Sequence, residues 1–240
     1  MNKGKVAEVM PSNGPISLAC NCAFFDGITD EHIQILNEYS NIVSLSKGEV
    51  LFKEGEVPTG LYIITKGKIK VYRTGTEGKE QIVRLSNQGD LVGYRALIGE
   101  GDYKSGAATL EESTVCFIPK EIVLRVMEGN VLIYKRIIAL LTDDLQYAEQ
   151  KIKELAQKPV RERVADALIQ LKNKYGFDKD GITINISMSR EELANLVGTA
   201  TETLIRILSD FKKDKMIDLD HRKIKIMNNE QLERTAHLYD

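Results

Sequence analysis

Residues 188–208 read Met188-Ser189-Arg190-Glu191-Glu192-Leu193-Ala194-Asn195-Leu196-Val197-Gly198-Thr199-Ala200-Thr201-Glu202-Thr203-Leu204-Ile205-Arg206-Ile207-Leu208. Their apolar positions form two short helical patterns separated by a glycine. Leu193, Leu196 and Val197 stand at i, i+3, i+4, with Ala194 small enough for close approach, and Leu204, Ile207 and Leu208 repeat the spacing. Gly198 sits where the chain must leave the first helix, a point at which left-handed backbone is common and glycine adopts it without a Cβ clash. The second pattern begins near Thr199–Thr201, hydroxyl residues suited to capping. The stretch is therefore expected to be a helix-turn-helix. Glu202 and Arg206, at i, i+4, project from the first turns of the second helix, away from Leu204 and Leu208. In a major groove a guanidinium pairs with guanine O6 and N7, and a carboxylate accepts from cytosine N4. The same spacing also makes a solvated ion pair on any amphipathic helix, so spacing alone leaves both uses open.

Downstream, residues 216–226 alternate apolar and polar side chains around a polar turn, the pattern of a hairpin. Arg190, Arg206, Lys212, Lys213, Lys215, Arg222, Lys223 and Lys225 gather around these elements, with Asp210 and Asp214 interleaved. The net charge of the whole chain is −2, so attraction to a polyanion has to come from such local placement. Ser189-Arg190-Glu191-Glu192-Leu193-Ala194, followed by Gly198, Glu202-Thr203, Arg206 and Leu208, resembles the DNA-binding domain of the cyclic-AMP receptor protein/FNR family of bacterial transcription regulators. Residues 216–226 are similar to that family's wing. The resemblance implies that Glu202 and Arg206 contact a conserved G·C pair in each half-site. Ser189, Arg190, Thr199, Thr201, Ile205, Arg222 and Lys223 complete the expected DNA-contacting set. The expected operator is a palindrome with a TGA…TCA core; Thr201 and Ile205 differ from the best-known members, which leaves the outer bases unread.

Between Ile42 and Ile118 short β-branched and aromatic runs alternate with glycine turns, as in an all-β sandwich or roll. Strands are expected at Glu49–Lys53, Leu61–Thr65, Lys68–Arg73, Gln81–Leu85 and Thr114–Ile118, after a helix over Asp30–Asn41 capped by Thr29. Lys47-Gly48-Glu49, Glu54-Gly55, Gly60-Leu61-Tyr62 and Gly67-Lys68-Ile69 are similar to the opening of the cyclic nucleotide-binding β-roll, and Gly89–Leu97 stands where that fold carries its phosphate-binding cassette. The resemblance makes Gly93, Tyr94, Arg95, Ala96, Lys104, Ser105, Ala148 and Glu149 the expected effector contacts. Several depart from the cyclic-AMP pattern. Tyr94 replaces the glutamate that binds the ribose, and Lys104-Ser105 replaces an Arg-Ser pair, so a two-donor fork becomes a single ammonium. Ala148 and Glu149 replace the hydroxyl residues that meet adenine. Tight cyclic-AMP binding is therefore not expected, and the effector is unknown. Arg95 is the nearby candidate to restore the lost cation.

Between Asn130 and Lys158, Tyr134, Ile138, Leu141, Leu145, Ala148, Ile152 and Leu155 recur at alternating four- and three-residue spacing, a heptad seam that favours pairing with the same helix of a second copy. Pro159 suits the first turn of a following helix over Val160–Tyr175. The expected architecture is α+β: a tail at 1–19, an effector-sensing β-roll at 20–129, a dimerisation helix at 130–158 and a winged helix-turn-helix at 159–240. A homodimer would place its recognition helices about 34 Å apart, one DNA turn. RNA polymerase is a further partner implied by the resemblance.

No apolar run is long enough to span a bilayer and no signal-peptide core follows Lys3 and Lys5, so a cytoplasmic location is expected. Three cysteines make no paired disulfide framework. Cys20, Cys22 and Cys116 are similar to the cluster ligands of the FNR branch, but a four-iron, four-sulfur cluster needs four ligands and the set is one short; no other metal site is read. His32, His221 and His237 offer little for haem. Asp143 and Asp144 are adjacent on a helix and diverge, so they make no carboxylate pair. No Walker loop, zinc motif or nucleophile elbow is present, and an enzyme is not expected. Two alternatives stand beside a DNA-binding regulator: a redox or gas sensor acting through the cysteines or a bound cofactor, and a nucleotide-binding adaptor that does not act on DNA.

Overall fold

The computed structural model describes residues 22–236. The expected tail at 1–19, Cys20 and His237 lie outside them. The chain forms two compact units, one up to Gln146 and one from Tyr147.

The first unit opens with a short 3-10 turn at Ala23–Phe25 and helix α1, Asp30–Tyr39, whose N-terminus is capped by the Thr29 hydroxyl accepting from the His32 N–H. Strands β1 (Asn41–Leu45), β2 (Val50–Phe52), β3 (Gly60–Lys66), β4 (Ile69–Thr74), β5 (Glu80–Ser86) and β6 (Leu91–Val92) lead to helix α2 (Tyr94–Ile98). Strands β7 (Gly106–Thr109) and β8 (Ser113–Pro119) and helix α3 (Lys120–Met127) follow, and helix α4 (Val131–Gln157) begins in this unit. Two antiparallel sheets result, ordered β1-β8-β3-β6 and β2-β7-β4-β5. The five expected strands are present. The expected first helix stops at Tyr39, because Asn41 already pairs with Phe117 in the sheet.

The first sheet is buried on both faces, which explains its unbroken apolar runs. On β3, Tyr62 and Ile64 point to the second sheet, where they meet Phe52, Ile69 and Val71; Leu61 and Ile63 point the other way, onto α1, α2 and α3. On β8, Val115 and Phe117 divide in the same manner from Cys116 and Ile118. Helix α4 adds Ile133 and Ile137 to the helical side of this core.

The second unit contains the end of α4, then α5 (Val160–Tyr175), α6 (Arg190–Val197), α7 (Thr201–Lys213), strands β9 (Ile217–Asp220) and β10 (Lys223–Ile226), and α8 (Asn229–Ala236). Val164, Leu168, Leu193, Leu204, Leu208, Phe211, Ile224 and Leu232 are buried at its centre. β9 and β10 pair antiparallel, and residues 182–184 lie along β10, the Ile184 N–H donating to the Ile224 carbonyl at 3.0 Å. Pro159 stands at the N-cap of α5, one residue before the expected first turn, and its carbonyl accepts from Glu162 and Arg163. Among the described residues no helix is long and apolar enough to cross a membrane.

Candidate functional site

The helix-turn-helix is built from local contacts that the sequence dictates. Ser189 caps α6: its hydroxyl accepts from the Glu192 N–H at 3.0 Å, and the Glu192 carboxylate accepts from the Ser189 N–H at 2.7 Å. This reciprocal pair is a capping box, legible in Ser-x-x-Glu but not among the sequence expectations. The Ser189 hydroxyl, an expected DNA contact, is thus committed to the helix end. Ser189→Ala is expected to lower the stability of this unit by about 0.5–2 kcal/mol, measured by urea denaturation. Gly198 ends α6 at φ 74°, left-handed as its position demands. The N-cap of α7 is Ala200, with no side-chain cap, so the hydroxyls of Thr199 and Thr201 do not cap the helix as expected. Thr201 is its first helical residue, and the packing of α7 rather than a cap holds its start.

Helix α7 divides into two faces. Leu204, Ile207, Leu208 and Phe211 are buried, while Glu202, Ile205, Arg206 and Ser209 are exposed and Thr199 and Thr201 partly so. Glu202 and Arg206 take no hydrogen-bond or ion-pair partner among the described residues, so they are not an internal salt bridge. The surrounding cations are less uniform than the sequence suggests. Lys212 pairs with Asp218 at 2.7 Å, Lys223 with Asp178, and Lys225 with Asp220 at 3.9 Å. Arg190 is half-buried and donates to the His221 carbonyl at 2.9 Å, which ties the start of α6 to the wing turn. Arg206, Lys213, Lys215 and Arg222 remain without a carboxylate partner among the described residues.

Arg163, on α5, is a functional candidate the sequence reading did not single out. Its guanidinium donates to the Leu155 and Lys158 carbonyls at 3.3 and 3.2 Å and to the Gly198 carbonyl at 3.1 Å. One side chain thereby fastens the end of α4 to the turn of the helix-turn-helix.

In the first unit, Gly89–Leu97 forms a glycine turn that leads into the short helix α2. Gly93 caps α2 at φ 93°, and a Cβ there would stand 3.2 Å from the Gly60 carbonyl oxygen, so glycine is needed for both reasons. Ala96 packs toward the inter-sheet core, Lys104 is exposed and Ser105 half-buried. Tyr94 and Arg95 are drawn together by a residue the sequence reading set aside, Asp144 of α4. The Tyr94 hydroxyl donates to Asp144 Oδ2, Arg95 Nε donates to the same oxygen at 2.7 Å, and Arg84 Nη1 donates to Asp144 Oδ1 at 3.2 Å and to the Tyr94 hydroxyl at 3.1 Å. Arg84 is anchored by its other nitrogen to the Leu91 carbonyl at 2.7 Å. Burial pushes the Asp144 carboxyl up, but the Tyr94 hydroxyl and the two guanidinium groups outweigh it and hold the group below the ordinary carboxylate range.

Along α4, the seam residues Tyr134, Ile138, Leu141, Leu145, Ile152 and Leu155 are exposed, Ile138, Leu145 and Ile152 at 60% or more. Ala148 and Glu149, expected effector contacts, are also exposed. Within the first unit the face that packs on the β-roll is a different one, formed by Ile133, Ile137 and Leu140. Cys22 is buried, its thiol donating to the Gly89 carbonyl at 3.3 Å, and burial pushes that thiol up. Cys116 is buried on β8. Among the described residues no three His, Cys, Asp or Glu side chains gather as a metal site.

Comparison with known proteins assigns both units. Residues 42–130 match the cyclic nucleotide-binding domain and residues 162–235 the Crp-like helix-turn-helix domain. The fumarate and nitrate reduction regulatory protein of Vibrio cholerae is 32% identical over 195 residues, covering 80% of this chain and 77% of that protein. The CRP-like cAMP-activated global transcriptional regulator of Mycobacterium tuberculosis is 26% identical over 220 residues, covering 91% and 98% respectively. The structure of FixK2 from Bradyrhizobium japonicum has the same fold, with a TM-score of 0.72 at 22% identity over 82% of this chain and 96% of that one.

Proposed function

The chain belongs to the cyclic-AMP receptor protein/FNR family of transcription regulators, and from that premise we propose that it is a cytoplasmic homodimer that binds a palindromic operator in duplex DNA through α7. The observation that carries the reading is the exposed, unpartnered pair Glu202 and Arg206 on the first turns of α7. A carboxylate and a guanidinium held one turn apart can accept from cytosine N4 and donate to guanine O6 and N7. Thr199, Thr201, Ile205 and, from the wing, Arg222 and Lys223 complete the proposed contact set, and Lys213 and Lys215 are available for phosphate. This exposed pair favours a DNA-binding role over an adaptor with no DNA target. RNA polymerase is the partner that family membership implies.

The exposed seam of α4 supplies the dimer contact in this reading. Each buried Leu or Ile contributes about 1.5–3 kcal/mol, and two-fold symmetry doubles every contribution. Leu145→Lys is expected to convert the dimer to a monomer in sedimentation velocity while the β-roll stays folded, since Leu145 lies outside its core; its melting should fall only by the stabilisation that dimerisation supplied. A monomeric parent protein would remove the dimer from the proposal. The effector response does not run through tight cyclic-AMP binding, because Tyr94 and Arg95 are engaged with Asp144 and Lys104 offers one ammonium in place of a fork. The direct test is operator binding with and without cyclic AMP.

A further inference from the structure

Asp144 closes a stripe on α4 that begins with Ile133, Ile137 and Leu140, all on the face turned to the β-roll. The three apolar residues hold the helix against the core, but dispersion and burial are non-directional and leave its rotation weakly defined. Asp144 adds direction. Its carboxylate, 13% exposed, sits in a cradle of Tyr94, Arg95 and Arg84, with donors from α2 and β5 arranged as they would be around a bound anion. Charge-assisted hydrogen bonds of this kind are shorter, stronger and more orientation-dependent than neutral ones.

We propose that Asp144 is a built-in anion of the sensor: its carboxylate fills the Arg84–Tyr94–Arg95 cradle in place of an effector anion and fixes the rotation of α4 on the β-roll without a nucleotide. Rotation of α4 decides which residues line its exposed seam, because Asp144 and Leu145 are neighbours in the chain, the first turned to the β-roll and the second exposed. Asp144 is thus a positioning residue for the dimer contact, and operator binding depends on it through dimerisation. This inference rests on the dimeric, DNA-binding reading. It adds that the regulator is competent to bind DNA with the cradle filled from within, and that a small carboxylate or phosphate can enter only when Asp144 is removed.

The test uses the full chain with Asp144→Ala. Expected are a lower melting temperature of the β-roll and a loss of operator affinity of roughly 5- to 150-fold, the usual range of coupling between sites. Acetate or inorganic phosphate, compared with chloride at equal ionic strength, should restore both in the variant and neither in the parent protein. Adding Arg95→Ala to Asp144→Ala should abolish the restoration. If Asp144→Ala does not fold, Asp144→Asn, which keeps the shape and loses the charge, should show the same loss of affinity with the fold intact. Operator affinity unchanged in the variant, or losses that no anion repairs, would overturn the proposal. Failure of the parent protein to bind the operator would instead refute the DNA-binding reading, and anion-dependent melting of the variant would still decide whether the cradle exists.

Discussion

Arg206→Ala is expected to weaken operator binding by about 1–3 kcal/mol, roughly 5- to 150-fold, and to abolish preference for guanine at one position of each half-site. The effect should be confined to binding. Arg206 is exposed and without a partner among the described residues, so its removal should change stability by no more than about 0.5 kcal/mol. Arg206→Lys should recover little of the discrimination, because an ammonium cannot form the bidentate contact to O6 and N7. Competition titrations against operators substituted at each base give the result. An equal loss on every sequence would make Arg206 a phosphate contact and leave base readout to Glu202 and its neighbours.

Phe211→Ala is expected to have the largest effect on stability, about 3–5 kcal/mol. Phe211 is fully buried on the inner face of α7, its ring lies 4.7 Å from the Arg161 guanidinium, and its carbonyl accepts from the Met216 N–H at the entry to the wing. Truncation leaves a cavity beneath the recognition helix that rigid neighbours such as Leu204 and Leu208 fill only in part. Since whole domains are stable by only about 5–15 kcal/mol, most of the margin of this unit would go, and DNA binding with it. The β-roll has its own core, so calorimetry should show one transition shifted to lower temperature and the other retained.

Much of this architecture is legible in the sequence because it is written in local patterns. The turn at Gly198, the i, i+3, i+4 stripes of α6 and α7 and the seam of α4 all follow from helical periodicity, and the runs Leu61–Ile64 and Val115–Ile118 mark strands buried on both faces. Strand β7 is not legible. Its sequence, Gly106-Ala107-Ala108-Thr109, has little strand propensity, yet it runs between two neighbours and is buried throughout. Gly106 has no room for more, since a Cβ would lie 2.6 Å from the Tyr72 ring. The same distinction governs the sites. Glu202 and Arg206 announce themselves by spacing. Asp144 does not, because its meaning comes from Arg84, sixty residues away in the chain, and from Tyr94 and Arg95 across the fold. The basic cluster around α7 is less uniform than composition suggests for a related reason: tertiary structure pairs Lys212, Lys223 and Lys225 with aspartates.

Sequence-specific binding of duplex DNA by a dimer is read out by fluorescence anisotropy. A labelled duplex carrying TGTGA and TCACA as inverted half-sites is titrated at fixed salt beside a scrambled duplex of the same length. One dimer per operator and a preference over the scrambled duplex of about a thousandfold or more, unchanged by cyclic AMP, are expected. Equal affinity for the two duplexes would contradict sequence-specific binding.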